Sequence, residues 1–296
     1  MRPATRPKFD EQVAKWRILD RLTAVLDYPA YHGTVRDNLS PITSRLLNSA
    51  GFRHAFFTRL GGVSSGSYSS LNFSSSVGDS SNCVADNLDC AAAWLGLQSA
   101  NLCWARQVHD SNVLEISPDT SPQEVRSTPA DALISSYDQI ACCVRTADCV
   151  PILVADPCDG RVAAIHAGWR GIVAGVVSRT IERLARLGSE AERLLVAIGP
   201  HIRVSAFEVS EDVARMIAEV TPGRSVIHRD FGPRPHVALV ESIREQLRVA
   251  GVPASKVDDV GGCTFDDANR FFSYRRLGRA SGRHLHAIVP RVPRMT

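Results

Sequence analysis

The sequence predicts an α/β or α+β fold, a single domain of mixed β-sheets packed with helices. Of its 296 residues, 44% are hydrophobic and 22% are charged, which is enough apolar material for a substantial core. Short β-branched segments and segments of helical periodicity intermix without the strict rhythm of a parallel sheet. No low-complexity linker divides the chain, so we expect one catalytic domain over residues 46–296.

Residues 1–45 are expected to form an N-terminal extension. They mix short apolar clusters with prolines and charges, and residues 13–26 have the spacing of an amphipathic helix. The pattern becomes regular after residue 52, where 54–58 predicts a strand and 61–79 a glycine- and serine-rich loop. Long loops within compact domains are usually functional or disordered.

Helices are predicted where apolar residues recur every three or four positions. In the first helix Val84, Leu88, Ala91 and Leu95 share one face, and Ser81 is placed to cap it. β-Branched and apolar runs predict the strands. The other helices are predicted over 172–187, 210–220 and 237–249, and the other strands over 113–116, 140–144, 150–154, 162–165, 194–198 and 285–289.

Charge and cysteine content exclude several classes of protein. Lys and Arg number 34 and Asp and Glu 31, a net charge of +3, which is far from the basic excess of a nucleic-acid binder. No apolar run is long enough to span a bilayer, and the N-terminus lacks the apolar core of a secretory signal, so we expect a cytoplasmic protein with no membrane partner. The eight cysteines follow no disulfide framework and are expected to be reduced.

Familiar catalytic signatures are missing from the sequence. The patterns GxxxxGK[ST], HExxH and GxGxxG do not occur, which removes the main support for P-loop, zincin and Rossmann chemistry. The HxE…PCxxC signature of zinc nucleobase deaminases is also missing. Only one His-x-His pair, His284 and His286, is present, whereas ordinary multicopper oxidases need several.

Polar residues placed where strands end form the candidate site. Cys149 precedes one predicted strand and His166 ends the next, so a hairpin brings them together. His109, in the segment that begins at Gln107, completes a set of two imidazoles and one thiolate, which suits Zn²⁺ or copper and leaves a position open for water or substrate. The Gly-Trp-Arg-Gly turn that starts at Gly168 adds backbone N–H groups for an anion.

The order of these and other motifs resembles that of the YfiH-type laccase-domain family, also called the polyphenol oxidase or purine nucleoside phosphorylase family. The resemblance covers about residues 50–290. The matching segments are 57–64, 70–72, 107–109, 146–152, 164–171, 198–200, 207–209, 263–264, 271–276 and 281–283.

The resemblance implies a metal site of His109, Cys149 and His166 beside a purine nucleoside pocket. Members of the family phosphorolyse adenosine, guanosine, inosine and methylthioadenosine and deaminate adenosine. Zinc is the expected cofactor and copper the alternative. Nucleoside and phosphate are the expected partners of a protein that is a monomer or a weak homodimer.

Roles for individual residues follow from that reaction. We expect Arg59 and Arg170 to hold phosphate, Asp148 to act beside the ligands, and Asn72 to reach a ribose hydroxyl. The other residues expected to bind substrate or line its pocket are Gln107, Thr264 and Arg275.

The chain departs from the family pattern at three positions. His201 and Ala206 replace cysteines, and Ala238 replaces an aspartate common in the family. The three candidate ligands are unaffected. These departures bear on the shape of the substrate pocket.

Three other functions remain open at the level of sequence. Cys149 could be a thiolate nucleophile, activated by His109 or His166, that hydrolyses an amide in a peptidoglycan precursor. The older family names imply a copper-dependent polyphenol oxidoreductase. A non-catalytic metal or purine binder would use the same residues without turnover.

Overall fold

Two mixed β-sheets packed face to face form the centre of the protein. The computed structural model describes residues 39–292, so the helix predicted over 13–26 lies outside the described residues. Alternate residues of the central strands contribute to different cores: in one strand Ile152 and Val154 face helices, whereas Leu153 faces the second sheet. The resulting order of layers is helix, sheet, sheet, helix, and the predicted fold class is confirmed.

The larger sheet has six strands. Its central hairpin pairs Val150 with Ala167 and is antiparallel, as the sequence predicts. The strands are β3 (Val113–Ile116), β4 (Ala132–Ser135), β6 (Val150–Ala155), β7 (Val162–Ala167), β8 (Leu195–Ile198) and β11 (Val257–Asp259). Their order in the sheet is β11-β8-β6-β7-β4-β3.

The smaller sheet has four strands and packs one face against the larger sheet. Phe56, Val144 and Ile288 fill the space between the sheets, while Phe57, Phe73 and Leu285 lie in the core on the opposite face. Its order is β1-β12-β5-β2. The strands are β1 (His54–Phe56), β2 (Leu102–Cys103), β5 (Ala141–Thr146) and β12 (His284–Ile288), and a separate two-stranded ribbon joins β9 (Ile227–His228) to β10 (His236–Val237).

Helices cover the outer faces of both sheets. Val177, Ile181 and Leu184 of one helix pack against the six-stranded sheet, and Ala91 and Ala92 of another pack on the four-stranded sheet. The helices are α1 (Arg45–Ser49), α2 (Ser81–Trp94), α3 (Pro122–Ser127), α4 (Trp169–Val173), α5 (Val176–Arg186), α6 (Glu211–Glu219), α7 (Leu239–Val249) and α8 (Tyr274–Leu277).

Two helix predictions need correction. The segment 172–187 is not one helix, because Gly175 has a φ of 80° and separates α4 from α5. The first turn of α2 begins after Ser80, and Ser81 is its first helical residue rather than its cap. Asp79 accepts a hydrogen bond from the backbone N–H of Ser80 at 2.8 Å and stabilises this start.

The serine-rich segment predicted as a loop is a loop in the structure, with short 3₁₀ turns at Gly66–Tyr68 and Ser75–Val77. Its interior is held by buried polar contacts, since the amide of Asn87 donates to Ser64 Oγ and to the Asn72 carbonyl. Across residues 39–292, none of the helices combines the length and the hydropathy needed to cross a bilayer. All eight cysteines are free thiols.

Candidate metal centre and active site

The ends of the central strands meet in a cleft of about 840 Å³. His109, Cys149 and His166 line it, and one potential ligand atom from each lies within 4.8 Å of the other two. The Cys149 sulfur is 3.9 Å from His109 Nε2. His166 is buried, Cys149 is partly buried and His109 is exposed, so the group faces the cleft from its wall.

Cys149 and His166 meet because they belong to the β6–β7 hairpin. Cys149 immediately precedes β6, and His166 lies directly opposite Pro151 in the antiparallel register. Asp148, the residue before the thiol, has a φ of 93°, and His109 has a φ of 61°. Such left-handed backbone is costly for a residue with a side chain and persists where surrounding contacts hold it, often at functional sites.

Asp131 holds the His109 loop against the hairpin. This buried carboxylate accepts hydrogen bonds from the backbone N–H groups of Val108, His109 and Asp110 at 3.1, 3.0 and 2.9 Å. It also contacts Nδ1 of His166 at 2.7 Å. A single side chain therefore sets the positions of both histidines.

The contact between Asp131 and His166 determines which ring nitrogen is available. An ionised carboxylate can only accept hydrogen bonds, so Nδ1 of His166 carries a proton. When the ring is neutral, Nε2 then presents its lone pair to the neighbouring thiol and to the cleft. A carboxylate behind a histidine is the usual second partner of a metal-ligating imidazole. Sequence reasoning missed Asp131, which stands at the start of the apolar segment 132–135.

The thiol and the imidazole favour each other's charged forms. Burial by itself raises the pKa of Cys149, but attraction to His166 and hydrogen bonds with His109 and His166 outweigh it and hold that pKa well below its ordinary value. Burial by itself lowers the pKa of His166, but the charge of Cys149 and the hydrogen bond to Asp131 raise it above its ordinary value. The two shifts together favour a thiolate on Cys149 beside a protonated imidazole on His166.

The donor set fits a borderline-soft transition metal. Two imidazoles and a thiolate are typical ligands of Zn²⁺ and copper, and three protein ligands leave a position for water or substrate. Gly168 keeps the space beside the ligands open. A Cβ atom there would lie 2.9 Å from His109 Cδ2 and 3.0 Å from the Cys149 sulfur.

The carboxylate of Asp148 joins separate segments of the chain through hydrogen bonds. Its Oδ1 accepts a hydrogen bond from Thr264 Oγ1 at 2.7 Å. Its Oδ2 accepts from Ser273 Oγ at 3.0 Å and from the backbone N–H of Arg275 at 2.6 Å. The carboxylate thus anchors the C-terminal loop and the start of α8 beside Cys149. Thr264 was expected at the pocket wall, but its side chain is fully buried and donates this hydrogen bond to Asp148.

Three predicted substrate residues line the cleft. Gln107 is held by two hydrogen bonds to the backbone of Arg145, at 2.7 and 2.8 Å. Arg170 stacks over the Trp169 ring, with the guanidinium carbon 4.4 Å from its centre. Arg275 donates from its guanidinium to the Glu208 carbonyl at 2.9 Å.

Arg59 and Asn72 do not line the cleft. The guanidinium of Arg59 donates to the carbonyls of Ser69 and Ala268 at 2.7 and 3.0 Å, which joins two loops. Asn72 is fully buried, and its amide bonds within the loop and to the backbone N–H of Arg283. The structure places neither side chain where the sequence interpretation expected it.

Four further cleft arginines were missed: Arg106, Arg126, Arg145 and Arg283. Arg145 is the second-last residue of β5 and lies opposite Leu285 of β12, and Arg283 immediately precedes β12. This pairing joins segments far apart in the chain, so no local pattern revealed it. The basic residues near the C-terminus were the available signal for Arg283.

Residues that depart from the family pattern lie around the same region. His201 is buried, with Nδ1 2.8 Å from the Gly199 carbonyl, and burial lowers its pKa to about 4. The Ala206 carbonyl accepts a weak contact from Arg275 at 3.4 Å. Ala238 is buried at the start of α7.

Comparison with known proteins bears on the identity of this cleft. The sequence profile described as multi-copper polyphenol oxidoreductase laccase matches residues 53–291. The chain belongs to this laccase family. The match spans both sheets and every residue of the His-Cys-His group.

Relatives of this chain carry the names of purine nucleoside enzymes. The chain is 34% identical to a Bacteroides thetaiotaomicron protein named purine nucleoside phosphorylase, over 82% of this chain and 93% of the relative. It is 38% identical to a Pseudomonas aeruginosa protein of the same name, covering 78% and 90% of the two chains. A protein named adenosine deaminase RL5, from an unknown prokaryote, is 35% identical over 77% and 90%.

Solved structures share the fold of this chain. YlmD from Geobacillus stearothermophilus superposes with a TM-score of 0.79 at 29% identity, covering 86% of this chain and 96% of that one. A Neisseria meningitidis protein superposes with a TM-score of 0.73 at 30% identity, covering 86% and 99%.

Proposed function

We propose that residues 46–296 form a metal-dependent purine nucleoside phosphorylase that also deaminates adenosine. The observation that carries the proposal is the group of His109, Cys149 and His166 on the wall of a cleft lined by arginines. The names of the relatives support nucleosides as substrates. Adenosine, inosine, guanosine and methylthioadenosine are the proposed substrates, with phosphate as the second.

The three ligands share one task in this proposal. His109, Cys149 and His166 would hold the ion, which we propose to be Zn²⁺ with copper as the alternative. A bound Zn²⁺ supplies Lewis acidity that lowers the pKa of water to about 7, which suits deamination at neutral pH. Asp131 keeps the Nδ1 proton on His166 and so would leave Nε2 free to hold the ion.

Phosphorolysis needs positive charge close to the attacking phosphate. Arg170 lies in the first turn of α4, two residues after Gly168, the glycine that packs on the ligands. Arg283 lies near Cys149, whose charge opposes the effect of burial on the pKa of Arg283. We assign both guanidinium groups to phosphate, because fixed positive groups stabilise negative charge in the transition state better than water does.

The proposal is tested by measuring the metal content of the purified protein and then identifying the products that it forms from nucleosides. Inosine should give hypoxanthine and ribose 1-phosphate only when phosphate is present, and adenosine should give inosine without phosphate. The Cys149→Ala variant should lose bound zinc and both activities, while Cys158→Ser, which changes an exposed thiol, should keep them. Chromatography that finds no conversion of any purine nucleoside by zinc-loaded protein would reject the proposal.

A second candidate function is favoured by the lowered pKa of Cys149. A thiolate beside a protonated histidine is the arrangement of a nucleophilic amide hydrolase. Such an enzyme would ignore nucleosides, keep its activity in chelator and lose it when Cys149 is alkylated. The phosphorylase would lose its activity in chelator, so the two functions are separable in one assay. Oxidation of a phenol by copper-loaded protein would instead favour the polyphenol oxidoreductase.

A further inference from the structure

The cleft carries more positive charge than its walls neutralise. Within residues 39–292, its arginine side chains form no ion pair with a carboxylate, whereas many surface arginines do. The acidic side chain on the lining is Asp148, and its two oxygens are already bonded to neighbouring segments. The six arginines are Arg106, Arg126, Arg145, Arg170, Arg275 and Arg283.

Two of these arginines share one aromatic ring. The guanidinium carbons of Arg126 and Arg145 lie 4.2 and 5.1 Å from the centre of the Trp104 ring. The cation–π contacts hold two like charges close together without a carboxylate between them. Arg106 follows this tryptophan by two residues, and its backbone N–H bonds to the Thr128 carbonyl just after α3.

The charges form a row that leads outward from the ligand group. Arg283 lines the cleft with Cys149 and lies two residues before Leu285, which pairs with Arg145, and Arg145 shares the Trp104 ring with the exposed Arg126. Burial, followed by Arg283 and Arg126, lowers the pKa of Arg145 to about 10. Its guanidinium is therefore still charged at neutral pH, and it donates to the Phe73 carbonyl at 3.2 Å.

This row exceeds what a single phosphate needs. Two guanidinium groups already surround one phosphate effectively, and the proposed function uses Arg170 and Arg283 for that purpose. Arg106, Arg126 and Arg145 are left at the outer end of the cleft. Arg145 is partly buried, and a partly buried charge without a carboxylate partner is costly; the exposed Arg106 and Arg126 add further positive charge beside it, which favours an anionic ligand at this end of the cleft.

We infer that Arg106, Arg126 and Arg145 form a second anion subsite, which binds the phosphate of a purine 5′-nucleotide. The inference rests on the proposed function, because the nucleoside part would occupy the inner cleft beside the His-Cys-His group. A volume of about 840 Å³ lies in the range of small-molecule and cofactor sites. Trp169, Phe207 and Tyr274 supply aromatic surface on the same lining for the base.

Calorimetric titration of metal-loaded protein with inosine and with inosine 5′-monophosphate tests this subsite. The buffer contains no phosphate, so phosphorolysis cannot occur, and inosine has no amino group to lose. We expect the nucleotide to bind about tenfold or more tightly than the nucleoside, which is the effect of a charge-assisted contact. Raising the salt concentration should reduce this preference.

Arg126→Gln and Arg106→Gln should each reduce the preference for the nucleotide by about tenfold without changing the affinity for inosine. Both residues are exposed at the surface, so the variants are expected to fold. Arg186→Gln is the matched control, since Arg186 is an exposed arginine at the end of α5 that does not line this cleft.

Three results would overturn the inference. Equal affinity for inosine and its monophosphate is one, and a preference that survives both substitutions is another. The third is a loss of inorganic phosphate binding in Arg126→Gln as large as the loss of nucleotide binding, which would assign the subsite to free phosphate. A nucleotide preference in a protein that does not phosphorolyse inosine would leave the subsite in place and reject only the proposed function.

Discussion

Asp131 Oδ1 lies 2.7 Å from Nδ1 of His166, and both side chains are almost fully buried. The same carboxylate accepts three backbone hydrogen bonds from the loop that carries His109. The contact therefore links the position of one candidate ligand to the tautomer of another. It also places a negative charge behind the cluster, on the side away from the cleft.

The first prediction concerns Asp131→Asn. An amide has nearly the shape of the carboxylate but presents one oxygen and no charge, so it no longer requires a proton on His166 Nδ1. Loss of such a partner typically costs about 10-fold to 100-fold in metal affinity. Zinc titration against a competing chelator measures the change. Asp119→Asn, in an exposed turn, should leave the affinity unaltered, and an unaltered affinity in Asp131→Asn would remove this residue from the metal centre.

The second prediction concerns the space beside the ligands. A Cβ atom on Gly168 would approach the Cys149 sulfur to 3.0 Å and the His109 ring to 2.9 Å, so one of them must move. Gly168→Ala should therefore weaken zinc binding while the protein stays folded, because the strain falls on the ligand group. Gly232→Ala is the control, since the nearest atom to its added methyl lies at 3.6 Å. Elemental analysis that finds full zinc in Gly168→Ala after dialysis would contradict this view.

The sequence predicted contacts of this centre between residues in neighbouring segments of the chain, but not contacts between distant segments. Cys149 and His166 belong to one hairpin, whose two continuous apolar runs predict both strands and hence their meeting. Asp131 immediately precedes the short strand β4, which pairs with β7, a strand that lies further along the chain. Nothing local in the sequence indicates that pairing, so the carboxylate behind His166 was missed.

The same reasoning applies to the fold. Strands with long apolar runs, such as Val150–Ala155 and Val162–Ala167, were predicted nearly to the residue. Leu102–Cys103 is too short to show a period, and Val257–Asp259 is an edge strand with two acidic residues. These strands form only because a neighbouring strand supplies the hydrogen bonds, which is a tertiary effect. The interruption of 172–187 depends on the backbone of a single glycine.

The third prediction concerns pH and the thiol in metal-free protein. Because the pKa of Cys149 is lowered, the thiolate forms at a lower pH than an ordinary thiolate and is lost only as the pH falls through that lowered value. Iodoacetamide should therefore alkylate Cys149 rapidly at pH 7, where an ordinary thiol is mostly protonated. Mass spectrometry of a pH series gives the rate. His166→Ala should move the profile to higher pH, and zinc should protect the thiol in the parent protein. A profile that is the same with and without His166 would show that the histidine does not stabilise the thiolate.

The last prediction concerns the hydrogen bond between Thr264 and Asp148. Thr264 is fully buried, and its hydroxyl donates to Asp148 Oδ1 at 2.7 Å, so Thr264→Val leaves a buried carboxylate with one donor fewer at nearly the same volume. Removing a donor from a charged partner costs about 1.5–3 kcal/mol, and chemical denaturation should show that loss. Since Thr264 does not line the cleft, nucleoside affinity should change far less than the free energy of unfolding. Thr264→Ser, which keeps the hydroxyl, should recover most of the stability. An unchanged free energy of unfolding together with a weakened affinity for inosine would instead place Thr264 at the substrate, as the sequence interpretation expected.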